Sequence, residues 1–304
     1  MNPLFSIFIP SWNNLSYLKK CVESIRKNST YEHQIIIHVN EGKDGTLEWV
    51  QENGLDYTYT EKNCGVCLAM NMMRTKVKTD YICFINDDMY VLPGWDEALH
   101  QEIQQLDSKL FFLSSSVIQP HTPNEGSIVS NYGDSLESFQ EERLLKEYRE
   151  IPINDWQGAT VPPNIVHRDL WDLVGGYSIE FSPGMGSDPD FAAKLYLVGV
   201  EYFKGVSASR VYHFEQKSTQ RLRKNNYLPQ FLLKWGIPNS TVRKKLNRRG
   251  EDWSLHHGAT DQKGIQSGIF RGYFKAIWYV LKHQYGCFRH IWQKDDCYHL
   301  FKDL

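Results

Sequence analysis

Short apolar runs alternate with amphipathic stretches along the first hundred residues. Residues 5–9 form a strand-like run closed by Pro10. Leu18, Cys21, Val22 and Ile25 follow at a spacing that puts them on one face of a helix over about 15–27, with Asn13 or Asn14 as its cap. A β-branched run at 34–39 predicts a second strand. Gly42 and Gly45 mark a turn, residues 46–53 read as a short helix, and 57–60 as a third strand. Residues 67–75 are helical in pattern, and 81–85 is an apolar fourth strand, expected at the centre of a sheet. This βαβα alternation predicts an α/β fold with a doubly wound, mostly parallel sheet flanked by helices.

Downstream, a strand is predicted at 110–117. The polar stretch 119–153, with a charged helical patch at 136–148, reads as a lid or insertion. A strand at 164–166, a helix from near Asp169, a helix at 191–198 and a last strand at 205–213 follow. The remainder is helical and basic.

Open α/β sheets bind ligands at the carboxyl ends of their strands. Residues 11–14, 40–44, 63–65 and 86–88 are polar clusters that follow strand signals, with a short gap before Asn63. These clusters are therefore the first places to look for chemistry.

Composition narrows the class. With 304 residues, 41% hydrophobic and 23% charged, the chain can bury a full core and carry an appendage. A net charge of −2 argues against a nucleic-acid binder. Residues 216–250, however, hold ten Lys and Arg and no acid, which is either an anion-facing surface or a solvated basic face. No run is apolar and long enough to span a bilayer, and no secretory signal precedes the first strand. The six cysteines form no framework, and Cys64–Cys67 is an isolated CxxC without a partner motif. Both observations fit a cytoplasmic protein.

Four motifs in order carry a family resemblance. They are residues 5–13 ending in Pro10-Ser11-Trp12-Asn13, then Asn63-Cys64-Gly65 with Ala69 and Asn71, then 81–88 ending in Asn86-Asp87-Asp88, and Gly175-Gly176-Tyr177 followed by Gly186-Ser187-Asp188-Pro189-Asp190. Over roughly residues 4–215 the chain resembles the family 2 glycosyltransferases of the GT-A fold. The resemblance implies a GT-A-like domain at 1–217, with a nucleotide-sugar half at about 1–118 and an acceptor half at about 119–217. A basic helical C-terminal extension at 218–304 would follow.

The implied chemistry is inverting transfer of a sugar from a nucleoside-diphosphate sugar, a UDP-sugar being favoured, to a saccharide or lipid-linked acceptor in surface polysaccharide synthesis. A departing diphosphate needs charge neutralisation, and Mn²⁺ or Mg²⁺ held by carboxylate oxygen supplies it. By resemblance Asp88 holds the metal, with His213 as a further ligand or a structural residue. Pro10, Ser11, Trp12, Asn13, Asn40, Asn63, Gly65, Asn71, Asn86 and Asp87 face the nucleotide sugar. Lys217 and Arg221 are placed to hold the diphosphate, and Asp188 is the general base. Trp156, Trp171 and Tyr177 lie on the acceptor side, either as stacking platforms or as core. Asp190 is expected to cap the helix at 191, and Pro189 to hold Asp188 outside helical geometry.

Three positions depart from the family's acidic pattern: Asn40, Asn86 and Ser187. They keep a non-catalytic carbohydrate-binding or scaffold role open as the alternative. A nucleotidyltransferase is disfavoured, because the loop 10–14 carries no basic residue. In the C-terminal part, Phe270, Phe274, Ile277 and Trp278 share a helical face near Arg271 and Lys275. That helix would pack on the domain, form a homodimer or lie on an anionic membrane surface.

Overall fold

In the computed structural model, residues 2–215 and 225–283 are described. Lys217 and Arg221, expected at the diphosphate, lie outside the described residues.

The strands are β1 (Phe5–Trp12), β2 (Gln34–Asn40), β3 (Asp56–Thr60), β4 (Tyr81–Phe84), β5 (Met89–Val91), β6 (Phe111–Gln119), β7 (Ser127–Val129), β8 (Trp156–Gln157), β9 (Asn164–His167) and β10 (Tyr202–His213). They form one sheet with the order β3-β2-β1-β4-β9-β6-β10-β5; β7 pairs with β6, and β8 with β10. The first four strands are parallel to one another, as their βαβ connections require. β9 enters between β4 and β6 antiparallel to both, and β5 runs antiparallel to the end of β10.

The helices are α1 (Leu15–Asn28), α2 (Thr46–Glu52), α3 (Gly65–Met73), α4 (Trp95–Gln104), α5 (Glu141–Glu147), α6 (Arg168–Val174) and α7 (Ser187–Leu197). The C-terminal part adds α8 (Tyr227–Trp235), α9 (Asn239–Thr241), α10 (Trp253–His256) and α11 (Gln262–His283).

Strand alternation sorts the core into two faces. Phe5, Ile7, Ile9, Ile35, Ile37, Cys83 and Leu113 meet Leu18, Val22 and Ile25 of α1 and Trp95 and Leu99 of α4. Phe8, Ile36, Ile82, Phe84 and Phe112 point the other way, onto Cys67 and Met70 of α3, Trp171 of α6 and Phe191 of α7. A third cluster, with Tyr90, Tyr132, Leu144, Tyr212 and Phe214, seats the 130–148 insertion on the rim. The doubly wound α/β architecture is as expected.

Local details differ from expectation for clear reasons. Asn14 sits at the start of α1 but its side chain makes no cap bond. Asp44 caps from the next βα loop instead. Its Oδ2 accepts from Leu15 N at 2.7 Å, and its Oδ1 accepts from Thr46 N at 3.2 Å, so one carboxylate serves two helix starts. Helix α7 begins at Ser187 rather than 191, after Gly186 at φ 89°. Asp188 is therefore helical. Pro189 falls in the first turn, where a missing N–H costs nothing. Asp190 is not the cap. It is fully buried and accepts from Ser178 Oγ at 2.6 Å and Trp235 Nε1 at 2.9 Å, with Lys234 Nζ at 2.8 Å.

The C-terminal helices pack on the face that carries α7. Helix α11 docks through its small residues: a Cβ on Gly268 would strike Thr241, and one on Gly272 would strike the Gly236 carbonyl. The face with Phe270, Phe274, Ile277 and Trp278 is the exposed one, at 52–67% of full accessibility. Among the described residues no helix is long and apolar enough to cross a membrane.

Trp156 lies flat on Gly205 of β10, so closely that any Cβ at 205 would overlap its ring, and its Nε1 donates to Ser116 Oγ at 3.1 Å. We predict that Gly205→Ala overpacks this contact and destabilises the protein by about 1–3 kcal/mol. Urea unfolding is the check, and an unchanged midpoint would mean that the contact can yield freely.

Candidate active site

The expected residues gather where the strands of the first half end. In β1, Ser11 lies beside Val39 and Trp12 beside Asn40 of β2. Ser11 Oγ donates to Asp87 Oδ2 at 2.8 Å, which ties the end of β1 to the loop after β4. Asn13, in the left-handed region at φ 47°, donates from Nδ2 to Glu41 Oε2 at 3.1 Å and accepts from Lys43 N at 2.8 Å. Glu41 was not singled out from sequence, although it follows the strand-end rule directly.

Asn40 is buried, and its side-chain oxygen accepts from Cys64 N at 3.0 Å. Gly65 N donates to Asn63 Oδ1 at 2.8 Å. Asn40 and Asn63 thus shape the turn into α3. His38 beneath them, bonded to Thr58 and Thr60, is pushed by burial down to about 4 and stays neutral. Cys64 and Cys67 are both buried, and burial lifts the Cys67 thiol to about 12, so Cys67 stays protonated at neutral pH.

Asn71 joins α3 to the Gly175-Gly176-Tyr177 turn. Its Nδ2 donates to Tyr177 O at 2.7 Å and its Oδ1 accepts from Tyr177 N at 2.9 Å. A side chain at Gly176 would strike that same Asn71 oxygen. The Gly-Gly-Tyr motif is thus a turn shaped to fit an asparagine clamp. It aims the Tyr177 hydroxyl, which donates to Asp188 Oδ1 at 3.3 Å.

Asp188 stands in the first turn of α7 with its carboxyl desolvated. Burial pushes its pKa up from 3.8 to about 6, against the opposing pull of Arg249 and the Tyr177 hydrogen bond. The result remains a carboxylate that is ionised at neutral pH yet more basic than usual.

At the other side, Asp88 and His213 come together. The β5–β10 register sets His213 opposite Met89, and Phe214 N donates to Asp88 O at 3.1 Å. His213 Nε2 lies 3.2 Å from Asp88 Oδ2, while its Nδ1 meets Gln119 Oε1 at 3.3 Å. With Nδ1–H donating to Gln119 Oε1, Nε2 is the atom left facing the carboxylate. Burial would lower this imidazole's pKa, but the Asp88 carboxylate raises it above its ordinary value. A cation between them would take the place of that proton.

Among the described residues no three His, Cys, Asp or Glu side chains cluster for a metal. Two protein ligands still fit a hard cation that takes its remaining ligands from substrate phosphates and water. Gln119, the last residue of β6, is a positioning group that the sequence reading ended two residues short of. Asn86 is partly buried in the same loop.

Trp171 packs between Phe8 and Phe191, and Trp156 lies on Gly205; both are about 3% exposed. Their surroundings fit core packing, the alternative weighed for them. Tyr177 is also buried but keeps its hydroxyl on Asp188.

The profile of Glycosyl transferase family 2 matches residues 6–161. Glycosyltransferase GlyG of Streptococcus pneumoniae serotype 4 is 32% identical over 114 residues, covering 36% of this chain and 38% of GlyG. Hyaluronan synthase of Pasteurella multocida is 23% identical over 257 residues, 82% of this chain and 24% of that protein. Chondroitin synthase of Escherichia coli is 24% identical over 225 residues, 72% of this chain and 30% of that protein. The match therefore spans well under half the length of these relatives. The S. aureus TarS crystal structure superposes with a TM-score of 0.51 at 12% identity, over 79% of this chain and 42% of TarS, a likeness of fold.

The raised Asp188 pKa has a consequence for stability. Because the folded carboxyl holds its proton more tightly than the unfolded one, its contribution to stability is greatest in acid and is lost as pH rises from 3.8 to about 6. Asp188→Asn should therefore melt at a higher temperature than wild type at neutral pH, with the difference shrinking in acid. Calorimetry across pH tests this, and a destabilised variant at neutral pH would refute burial as the cause.

Proposed function

This chain belongs to glycosyl transferase family 2, and from that premise we propose that it moves a sugar from a nucleoside-diphosphate sugar to a hydroxyl of a saccharide or lipid-linked acceptor, with inversion, in surface polysaccharide synthesis. The observation that carries the reading is the pairing of Asp88 with His213 at a strand-end site. The donor lies over the ends of β1, β2 and β4, against Pro10, Ser11, Trp12, Asn13, Asn86 and Asp87, with Asn40, Asn63, Gly65 and Asn71 shaping the turns around it and UDP as the favoured nucleotide. A divalent cation, Mn²⁺ or Mg²⁺, neutralises the departing diphosphate when bound at Asp88 and His213.

Asp188 accepts the proton of the attacking hydroxyl. The new bond forms at C1 of the donor sugar as the bond to the diphosphate breaks, and the electron pair leaves on the phosphate oxygen. Tyr177 donates to one Asp188 oxygen, which orients the carboxylate and leaves the other for the acceptor. A base on the face opposite the leaving group gives inversion.

A peripheral membrane contact is the second element of the proposal. It is supported by the exposed aromatic face of α11, with Arg271 and Lys275 also exposed. Phe270→Gln together with Trp278→Gln should lower sedimentation with anionic vesicles. Unchanged sedimentation would leave dimerisation as the role of that face.

The transfer reading is tested by variants, pH and product stereochemistry. Asp88→Asn should abolish metal-dependent thermal stabilisation by UDP, which wild type shows through mass action; stabilisation at wild-type strength in the variant would remove Asp88 from the site. Asp188→Asn should lose transfer by about 10²–10⁴-fold with UDP binding intact. In wild type, kcat/KM should fall in acid with an apparent pKa of about 6, the Asp188 value. A product that keeps the donor's anomeric configuration would contradict the mechanism. A chain that releases no nucleoside diphosphate from any sugar nucleotide would instead be a scaffold.

A further inference from the structure

Beyond α9 the chain turns back onto the catalytic domain. Gly250 N donates to Gln157 O at 2.8 Å, Gln157 N donates to Glu251 O at 2.9 Å, and Trp156 bridges to Asp252. The segment 247–252 therefore lies alongside β8. This docking seats Arg249 on Gly158, where a Cβ would come within 2.6 Å of the Arg249 Cα. Only a glycine at 158 admits so close an approach.

Arg249 is poorly matched with acids. Its side chain is 18% exposed, and the carboxylate paired with it, Glu125, is 3.8 Å away. Glu125 is already held by Arg243 NH2 at 2.9 and 2.7 Å, so two guanidiniums share one carboxylate. Arg249 Nε is buried and has no hydrogen-bond partner among the described residues. Two residues earlier, Asn247 is 2% exposed, and neither its Oδ1 nor its Nδ2 has a partner among the described residues. Buried polar atoms in native proteins are nearly always satisfied, so unpartnered groups this close together in sequence call for an explanation. The remaining electrostatic neighbour of Arg249 is the carboxylate of Asp188.

A guanidinium that is largely buried, under-paired and within electrostatic reach of a carboxylate base is suited to an oxyanion, which it can hold with two parallel hydrogen bonds. It would also offset the repulsion that Asp188 exerts on an anionic group. On the transfer reading the donor's diphosphate sits with Asp88, on the loop between β4 and β5, and His213 at the end of β10. We propose that Arg249 forms an anion subsite on the acceptor side, which selects an acceptor bearing a carboxylate or phosphate near the hydroxyl that Asp188 deprotonates. Arg249 is then a specificity-determining residue supplied by the C-terminal extension. The inference rests on the transfer reading for the role of Asp188.

The test is calorimetric binding without turnover, in the presence and absence of UDP and Mn²⁺. The probes are a glucuronate-terminated tetrasaccharide, its carboxyl-reduced neutral counterpart, and a glycerol phosphate oligomer. Wild type should bind one of the anionic probes at least about tenfold more tightly than the neutral one, as expected for a charged hydrogen bond. The preferred probe identifies carboxylate or phosphate as the group read. Arg249→Gln should abolish the preference, and Arg249→Lys should keep part of it. Glu125→Gln, which releases Arg249 from its shared acid, should strengthen anion binding; it also serves if Arg249→Gln does not fold. The proposal is overturned if wild type shows no anionic preference, if the preference survives Arg249→Gln, or if UDP with Mn²⁺ displaces the anion. A failed anion preference leaves the transfer reading standing. Failure to bind or cleave any sugar nucleotide would sink that reading whatever the anion result.

Discussion

The pairing of β5 with the end of β10 is the constraint on which the site depends. Residues 86–88 leave the sheet after β4, and the next three residues return to it as a short antiparallel strand beside residues 211–213. That register, fixed by backbone hydrogen bonds, brings the loop of the first half against the last strand of the second. His213, more than a hundred residues away in sequence, thereby reaches Asp88. β10 makes room for this by a register shift between Val206 and Arg210, where Ser207 N donates to Asp155 Oδ1 at 2.8 Å. A bulge at that point lets one strand pair with β6 along its length and still turn toward β5.

The sequence showed the doubly wound half plainly, because apolar runs bounded by Gly, Pro and Asn are written on a single local scale. It also placed Asp88 just after a strand and Asp188 at the entrance to a helix. It could not show which residues meet across the sheet. β5 is three residues long and carries no periodicity of its own, so Gln119 was invisible as a partner of His213, whereas Glu41 lay within a strand-end cluster without a pattern to single it out. The exchange of caps had the same cause. Asp44 caps α1 from another loop, and no pattern local to Asn13 or Asn14 reveals that. Trp156 and Trp171 misdirect for a different reason. Aromatic residues suit both sugar stacking and cores, and only burial decides between them.

Much of the motif content is construction rather than direct chemistry. Asn71 and Gly176 fit each other so that Tyr177 is aimed at Asp188. Asn40 and Asn63 hold the turn into α3, and Gly65 allows Val66 N to reach Pro183 O at 2.9 Å. Such residues are needed at the site because a base or a ligand displaced by a fraction of an ångström loses much of its effect. The desolvated Asp188 carboxyl shows the corresponding cost, a destabilised ionised state retained where basicity is useful. The C-terminal part belongs to the same economy of positions, since α8 and the segment after α9 meet the residues around α7 that carry Asp188 and Asp190.

The central claim is that Asp88 and His213 jointly receive a divalent cation together with a nucleoside diphosphate. Pulsed electron paramagnetic resonance of the protein with Mn²⁺ and UDP reads this directly, because a coordinated imidazole nitrogen and the phosphorus nuclei each leave a hyperfine signature on the ion. The account predicts both signatures in wild type, loss of the nitrogen coupling alone in His213→Gln, and loss of bound Mn²⁺ in Asp88→Asn. A spectrum with no imidazole nitrogen, or one unchanged in His213→Gln, would contradict it.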